Sequence, residues 1–145
     1  MSFLDALRAS ASGLTAQSLR MKLISGNLAN RYTTRTPEGG PYRRKEAVFA
    51  AQPQGRNFHE MLNAQQAGGL VEVQAVDIVH DHREPLYKHD PDHPDADAMG
   101  RVALPNISLS EEMVNMISAT RSFEANVAAI KATKNMVNKA LEIGR

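Results

Sequence analysis

Residues 108–145 read SLSEEMVNMISATRSFEANVAAIKATKNMVNKALEIGR, with neither Pro nor Gly between Ser108 and Gly144. A helix over this stretch would be roughly 50 Å long at 1.5 Å per residue. At about 100° per residue, Met113, Met116, Thr120, Phe123, Val127, Ile130, Val137 and Leu141 fall on one stripe. Lys134 is its one fault. Ala125, Ala129, Ala132, Met136, Ala140 and Ile143 form a second stripe of mostly small residues roughly half a turn away, with Arg121, Glu124, Lys131, Lys139 and Glu142 as a charged ridge on one side. A helix in an ordinary small domain needs one apolar stripe; two stripes require neighbours on both sides.

Local chemistry marks the ends of this helix. Ser108 with Glu111 three residues on forms a capping box, after Pro105-Asn106. Gly144 is placed to close the last turn in a left-handed conformation. The opposite terminus repeats the pattern: Phe3, Leu7, Ala11, Leu14, Ser18, Met21, Ser25 and Leu28 make a long stripe, and Ala9, Ala16, Leu19 and Leu23 a smaller one nearly opposite. Gly13 inside this helix costs about 1 kcal/mol relative to Ala and reads as a point where a neighbouring backbone presses close, or as a tolerated residue. The helix should stop near Gly26-Asn27-Leu28-Ala29-Asn30, where Asn accepts a left-handed turn and its amide can bond the loop backbone.

Composition narrows the chemistry. The chain has 145 residues, 42% hydrophobic but only 5% aromatic, so little of the bulk that fills a compact catalytic core is present. A formal net charge of +1 argues against nucleic acid or an acidic membrane as partner. The absence of cysteine excludes disulfides and thiolate sites. No run of 18 apolar residues and no basic-then-apolar leader occurs, so no membrane span is expected and any export would use a route other than a cleaved signal peptide.

Between the helices the composition changes. Thr33 to Pro41 is dense in turn formers. Arg43-Arg44-Lys45 then leads into a strand at Ala47-Val48-Phe49. Residues 50–69 read as a loop with at most a short helix around His59 to Leu62. Leu70 to Val79 is the strongest strand, its alternation slipping near Ala75 in the manner of a bulge. Leu86-Tyr87-Lys88-His89 and Arg101-Val102-Ala103-Leu104 are two shorter strands joined through the turn Asp90 to Pro94.

Candidate chemistry is sparse. His80, Asp81, His82, His89, Asp90, Asp92, His93, Asp95 and Asp97 are metal-binding residue types, which would suit a metal hydrolase. Their spacing defines no ligand set, however, and Asp is common in Pro-rich turns for local hydrogen bonding. His59-Glu60 lacks the second His of a zinc-protease helix. Arg43-Arg44-Lys45 is better matched to Glu or Asp on a neighbouring subunit or domain than to phosphate. No catalytic residue, metal ligand or cofactor site is assigned. An intramolecular pairing of the terminal helices explains one stripe on each and leaves the other unburied.

Ser10-Ala11-Ser12-Gly13-Leu14-Thr15-Ala16-Gln17 with Arg20-Met21, and Ser25-Gly26-Asn27-Leu28-Ala29-Asn30, resemble the N-terminal signature of the bacterial flagellar rod and hook axial proteins. Glu38 to Lys45, Asp90 to Asp97, Glu112 to Val114, Phe123 to Val127 and Ala140 to Arg145 narrow the likeness to the proximal-rod members of that family. The resemblance implies an α+β fold, with two long terminal helices packed as an antiparallel coiled-coil-like pair and a small β-rich insertion between them. It implies an inner unit of residues 1–30 and 106–145 and an outer unit of residues 31–105. The implied role is a structural subunit of the drive shaft in the periplasm. Its partners would be other rod proteins, copies of itself in a helical tube and, during secretion, the flagellar type III export apparatus. The residues expected to carry assembly are Leu7, Leu14, Met21, Asn27, Leu28, Asn30, Met116, Phe123, Asn126, Val127, Ile130, Val137 and Leu141. A soluble helical adaptor or chaperone using the same stripes is the alternative.

Overall fold

A computed structural model describes residues 3–53 and 71–144. The short helix expected around His59 to Leu62 lies outside the described residues. In chain order the elements are α1 (Phe3–Ala29), β1 (Lys45–Pro53), β2 (Val71–His80), β3 (Leu86–His89), β4 (Arg101–Leu104) and α2 (Leu109–Ile143). This is the expected α+β arrangement of two terminal helices with a β-rich insertion. The helices run antiparallel, since Met21 meets Thr120 and Asn27 meets Glu112.

α1 begins with Asp5 in its first turn, where a carboxylate faces the positive end of the helix dipole. It ends because Asn30 turns its backbone N–H and its side-chain amide, the latter at 2.9 Å, onto the Gly26 carbonyl. The arm that follows folds on itself. Gly39 and Gly40 take positive φ values of 91° and 76°, Thr36 N donates to Gly40 O at 2.9 Å, and Tyr42 N donates to Thr33 O at 3.1 Å.

β1 and β2 pair antiparallel from Lys45↔His80 to Pro53↔Val71. β1 therefore runs to Pro53, four residues beyond the strand expected at Ala47 to Phe49, because β2 offers a ladder long enough to keep Ala50 to Pro53 paired. The register shifts between Val48 and Phe49, whose partners are Asp77 and Ala75. Val76 is thus the extra residue of a bulge, beside the Ala75 where the alternation slips. This ribbon packs on α1, and Val73 N donates to Ser12 Oγ at 3.0 Å.

β3 and β4 form a second antiparallel pair. Gly100, at φ 70°, turns the chain where a Cβ would lie 3.2 Å from His89 Cε1 and Pro91 Cβ. Asp97 fastens the same turn by accepting from the backbone N–H groups of Met99 and Arg101. Val102, Pro105 and Ile107 are buried and seat the start of α2. There Ser108 caps the helix, its hydroxyl accepting from Glu111 N at 3.4 Å, the hydroxyl half of the expected capping box. Gly144 departs from expectation: its φ and ψ of −82° and 1° are right-handed, and its N–H simply continues the ladder to Ala140 O.

Among the described residues, proline apart, only Ala16, Ile24, Val102, Ile107 and Ala119 are buried apolar side chains. Two of the five are alanines, so the chain encloses little apolar volume of its own.

Candidate assembly interface

A connected network of polar side chains sits where α1 ends and α2 begins. Asn27 is 1% exposed. Its amide nitrogen donates to Lys45 O at 2.9 Å and to Glu112 Oε2 at 3.2 Å. Its amide oxygen accepts from Lys45 N at 2.9 Å and from the Tyr42 hydroxyl at 3.1 Å. All four hydrogen-bonding positions of the amide are used. By taking both the N–H and the C=O of Lys45, Asn27 holds the first residue of β1 as a neighbouring strand would.

Glu112, also 1% exposed, receives Arg44 Nε at 2.7 Å on its other oxygen. Arg44 bonds Glu46 as well, at 3.1 Å. Burial alone would lower the Arg44 pKa, but the hydrogen bond and charge of Glu112 outweigh it and hold the guanidinium above its ordinary value. Burial, then the charge of Glu112, pushes the Tyr42 phenol up, so its hydroxyl stays a donor. Removing one member of such a buried pair typically costs about 3–5 kcal/mol. The acid expected for the basic run thus lies in the first turn of the C-terminal helix. Neither Glu112 nor Tyr42 was singled out from sequence. The available signal was Glu112 itself, a charge on the inward face of a helix.

Along the seam the residues expected to mediate assembly separate into groups. Leu7, Leu14, Met21, Leu28 and Asn30 on the α1 side are half-buried, as are Met116, Phe123, Asn126, Val127, Ile130 and Val137 on α2. Leu141 is 67% exposed and Met113 52%. The first lies on the part of α2 that outruns α1, and the second faces away from it. The fully buried positions of α2 are Glu112, Ala119 and Thr133, so the midline of the pair is rotated from the expected apolar stripe toward small and polar side chains. These let the helices approach closely. Gly13 is such a contact point, though against a side chain rather than backbone: a Cβ there would lie 3.0–3.2 Å from the Asn126 amide.

The second stripe of α1 is covered differently from expectation. Ala16 is buried and Ala9, Leu19 and Leu23 are half-buried, because the β1–β2 ribbon of the same chain packs against α1. Among the described residues α2 has no such cover. Ala125, Ala129, Ala132, Met136, Ala140 and Ile143 are all exposed, as are Val114 and Ile117. Val114 extends the outer stripe toward the helix start, and Ile117 lies beside it on the flank of the charged ridge. An exposed apolar face of this kind is a candidate interaction surface.

Several of the His and Asp side chains of the middle region are engaged in hydrogen bonds and ion pairs rather than grouped together. Asp95 accepts from Thr34 Oγ1 and pairs with Arg35, both at 2.8 Å, and His93 Nδ1 accepts from Asp95 N. Among the described residues no three His, Asp or Glu side chains are grouped to hold a metal. No described helix is long and apolar enough to cross a membrane.

Comparison with known proteins gives a consistent result. A family model described as flagellar basal body rod FlgEFG protein C-terminal matches residues 99–143, the segment holding β4 and α2. Over its whole length the chain is similar to proteins named flagellar basal-body rod protein FlgC. It is 44% identical to that of Bacillus subtilis strain 168, with 100% of both chains covered. It is 40% identical to that of Borreliella burgdorferi, covering 99% of this chain and 98% of the relative, and 34% identical to that of Escherichia coli O6:H1, again with 100% of both covered.

Proposed function

The chain belongs to the FlgC family of flagellar basal-body rod proteins, and from that premise we propose that it works as a mechanical subunit of the proximal rod. It is a structural protein of the flagellar basal-body rod. Residues 1–30 and 106–145 form an inner helical unit packed against neighbouring subunits, and residues 31–105 an outer unit. The assembly transmits torque across the periplasm and makes or breaks no covalent bond. Its partners are other rod proteins and further copies of itself. It reaches them unfolded, through the flagellar type III export apparatus.

The observation that carries this reading is the asymmetry of α2, closed against α1 on one side and apolar but bare on the other. A rod that resists twisting needs helices gripped on more than one side, and side chains such as Ala125 and Ala132 permit close approach. The half-buried rim of Leu7, Leu14, Met116 and Phe123 offers a second contact strip along the seam.

The test is a density map of isolated basal bodies with this chain located in it. The proposal expects the chain in the rod, with the outer face of α2 against helices of neighbouring subunits. Recovery of the chain only as a small, freely exchanging soluble complex, absent from basal bodies, would favour a helical adaptor and overturn it.

A further inference from the structure

The apolar rims of the helix pair do not define their own alignment. Leu7, Leu14, Met21 and Leu28 recur every seventh residue on α1, and Met116, Phe123, Ile130 and Val137 do so on α2. Sliding one helix past the other by seven residues brings apolar side chains back opposite apolar side chains. The connection between the helices, residues 30–108, is too long to forbid such a slide.

Two contacts do distinguish the registers. Asn27 and Glu112 meet at one end of the pair, and Gly13 and Asn126 meet farther along. The contacts are spaced alike on both helices, fourteen residues on α1 and fourteen on α2. A slide of seven residues would put Asn27 beside Ala119 or beyond the start of α2. It would also take Glu112 from Asn27 and Arg44, and Asn126 from its seat over Gly13. We propose that these two pins, the buried polar contact of Asn27 with Glu112 and the close fit of Asn126 over Gly13, set the register of α1 against α2, specifying the pairing rather than supplying its stability. A buried polar residue that fixes the alignment of an otherwise repetitive apolar seam is a known device of paired helices. Because the Asn27 pin also holds Lys45 and Arg44, the same contact orients the β1–β2 ribbon on the helices.

The chain contains no cysteine, so introduced pairs report register without background. Met21 and Thr120 touch, with Thr120 Oγ1 3.7 Å from Met21 Sδ. Full-length chain carrying Met21→Cys with Thr120→Cys reports the observed register. Met21→Cys with Val127→Cys reports the slid one, since seven residues shift the partner by about 10 Å, beyond the reach of a disulfide. Intramolecular disulfide is read by mass spectrometry of the monomer band after mild oxidation. With both pins intact, the Thr120 pair should be trapped about 100-fold more readily than the Val127 pair, the preference expected when sliding would strand a buried charge.

The decisive background replaces the pins together: Glu112→Leu with Arg44→Met, which leaves neither charge without its partner, and Asn126→Ala. The helical content and melting temperature should hold while trapping of the Val127 pair rises at least about tenfold, one rank of preference lost. Glu112→Gln, which keeps the shape and one of the bonds, should raise it less. Unchanged trapping in the pin-less chain would overturn the proposal. So would loss of helix there, since the contacts would then be supporting the fold, and so would equal trapping of both pairs with the pins intact.

Discussion

Placing a carboxylate on the outer face of α2 separates folding from assembly. Ala132 is exposed in the chain and stands near Ala125, Ala129 and Met136 on that face. With no partner helix over it, Ala132→Glu changes only a solvated surface. Its effect on the folding free energy should therefore stay within about 0.5 kcal/mol, as for other surface substitutions, and helix propensity adds only a few tenths. In the rod the same carboxylate would lie against an apolar neighbour with no base opposite. Desolvating an unpaired charge costs several kcal/mol per contact, so about 3 kcal/mol would weaken each subunit contact roughly 100-fold. Thermal unfolding of the purified variant should match that of the unchanged chain, while swimming and recovery of rod-bearing basal bodies should collapse. Lys131→Glu, on the charged ridge, should leave assembly close to normal. Full motility and normal rods in the Ala132→Glu strain would refute the reasoning, because the bare stripe would then not be an interface.

Other perturbations test the chain itself. Gln17 Oε1 is buried without a partner, so Gln17→Met should stabilise the chain by about 1 kcal/mol in denaturant unfolding by removing an unsatisfied acceptor; a loss would show that the amide has an unseen role. Gly13→Ala should give none of the roughly 1 kcal/mol that helix propensity promises, since its Cβ would press on the Asn126 amide, which is tied to Ser122 O at 2.9 Å. The gain should appear only in an Asn126→Ala background, and a full gain without it would contradict the contact. The backbone hydrogen bond from Arg101, with that from Met99, holds the Asp97 carboxyl below the ordinary carboxylate range, and the side chain of Arg83 does the same for Asp81. A depressed carboxylate contributes stability above its unfolded pKa, about 3.9 for Asp; that contribution is lost as pH falls through the lower folded value. Carbon-detected NMR should therefore show both groups titrating below the ordinary Asp value of about 3.9, with the turn before β4 loosening in the same range, and midpoints at or above that value would contradict the pairing.

How far the sequence carried the fold follows from which interactions are local. The positions of the helix ends, the bulge beside Ala75 and both short strands were legible because capping hydroxyls, β-branched runs and turn formers act within a few residues, although neither the Asn turn after α1 nor Gly144 takes the left-handed conformation expected. The outer stripe of α2 was legible for the same reason: periodicity is a property of one helix. The seam was not. Ala119 and Thr133 occupy its midline instead of Leu141 or Met113, because close approach of two helices selects small side chains that no single-helix stripe displays. Asn27 was recognised as a residue that would bond loop backbone, and it does. Its partners Tyr42, Lys45 and Glu112, distant in the chain, become neighbours only when the arm folds back beside the helix pair. The cover over the second stripe of α1 was likewise invisible, since it comes from a ribbon whose packing on α1 leaves no local trace.

The claim on which the rest depends is that the outer face of α2 is bare in the single chain and covered in the rod. A single cysteine at Ala132, in a chain with none of its own, measures this through its rate of reaction with a polar maleimide. The rate should be that of an open helix surface in the purified monomer and fall at least about tenfold in basal bodies isolated from a motile strain carrying the substitution, as expected when thiol access is blocked. Equal reaction rates in monomer and basal body would contradict the account.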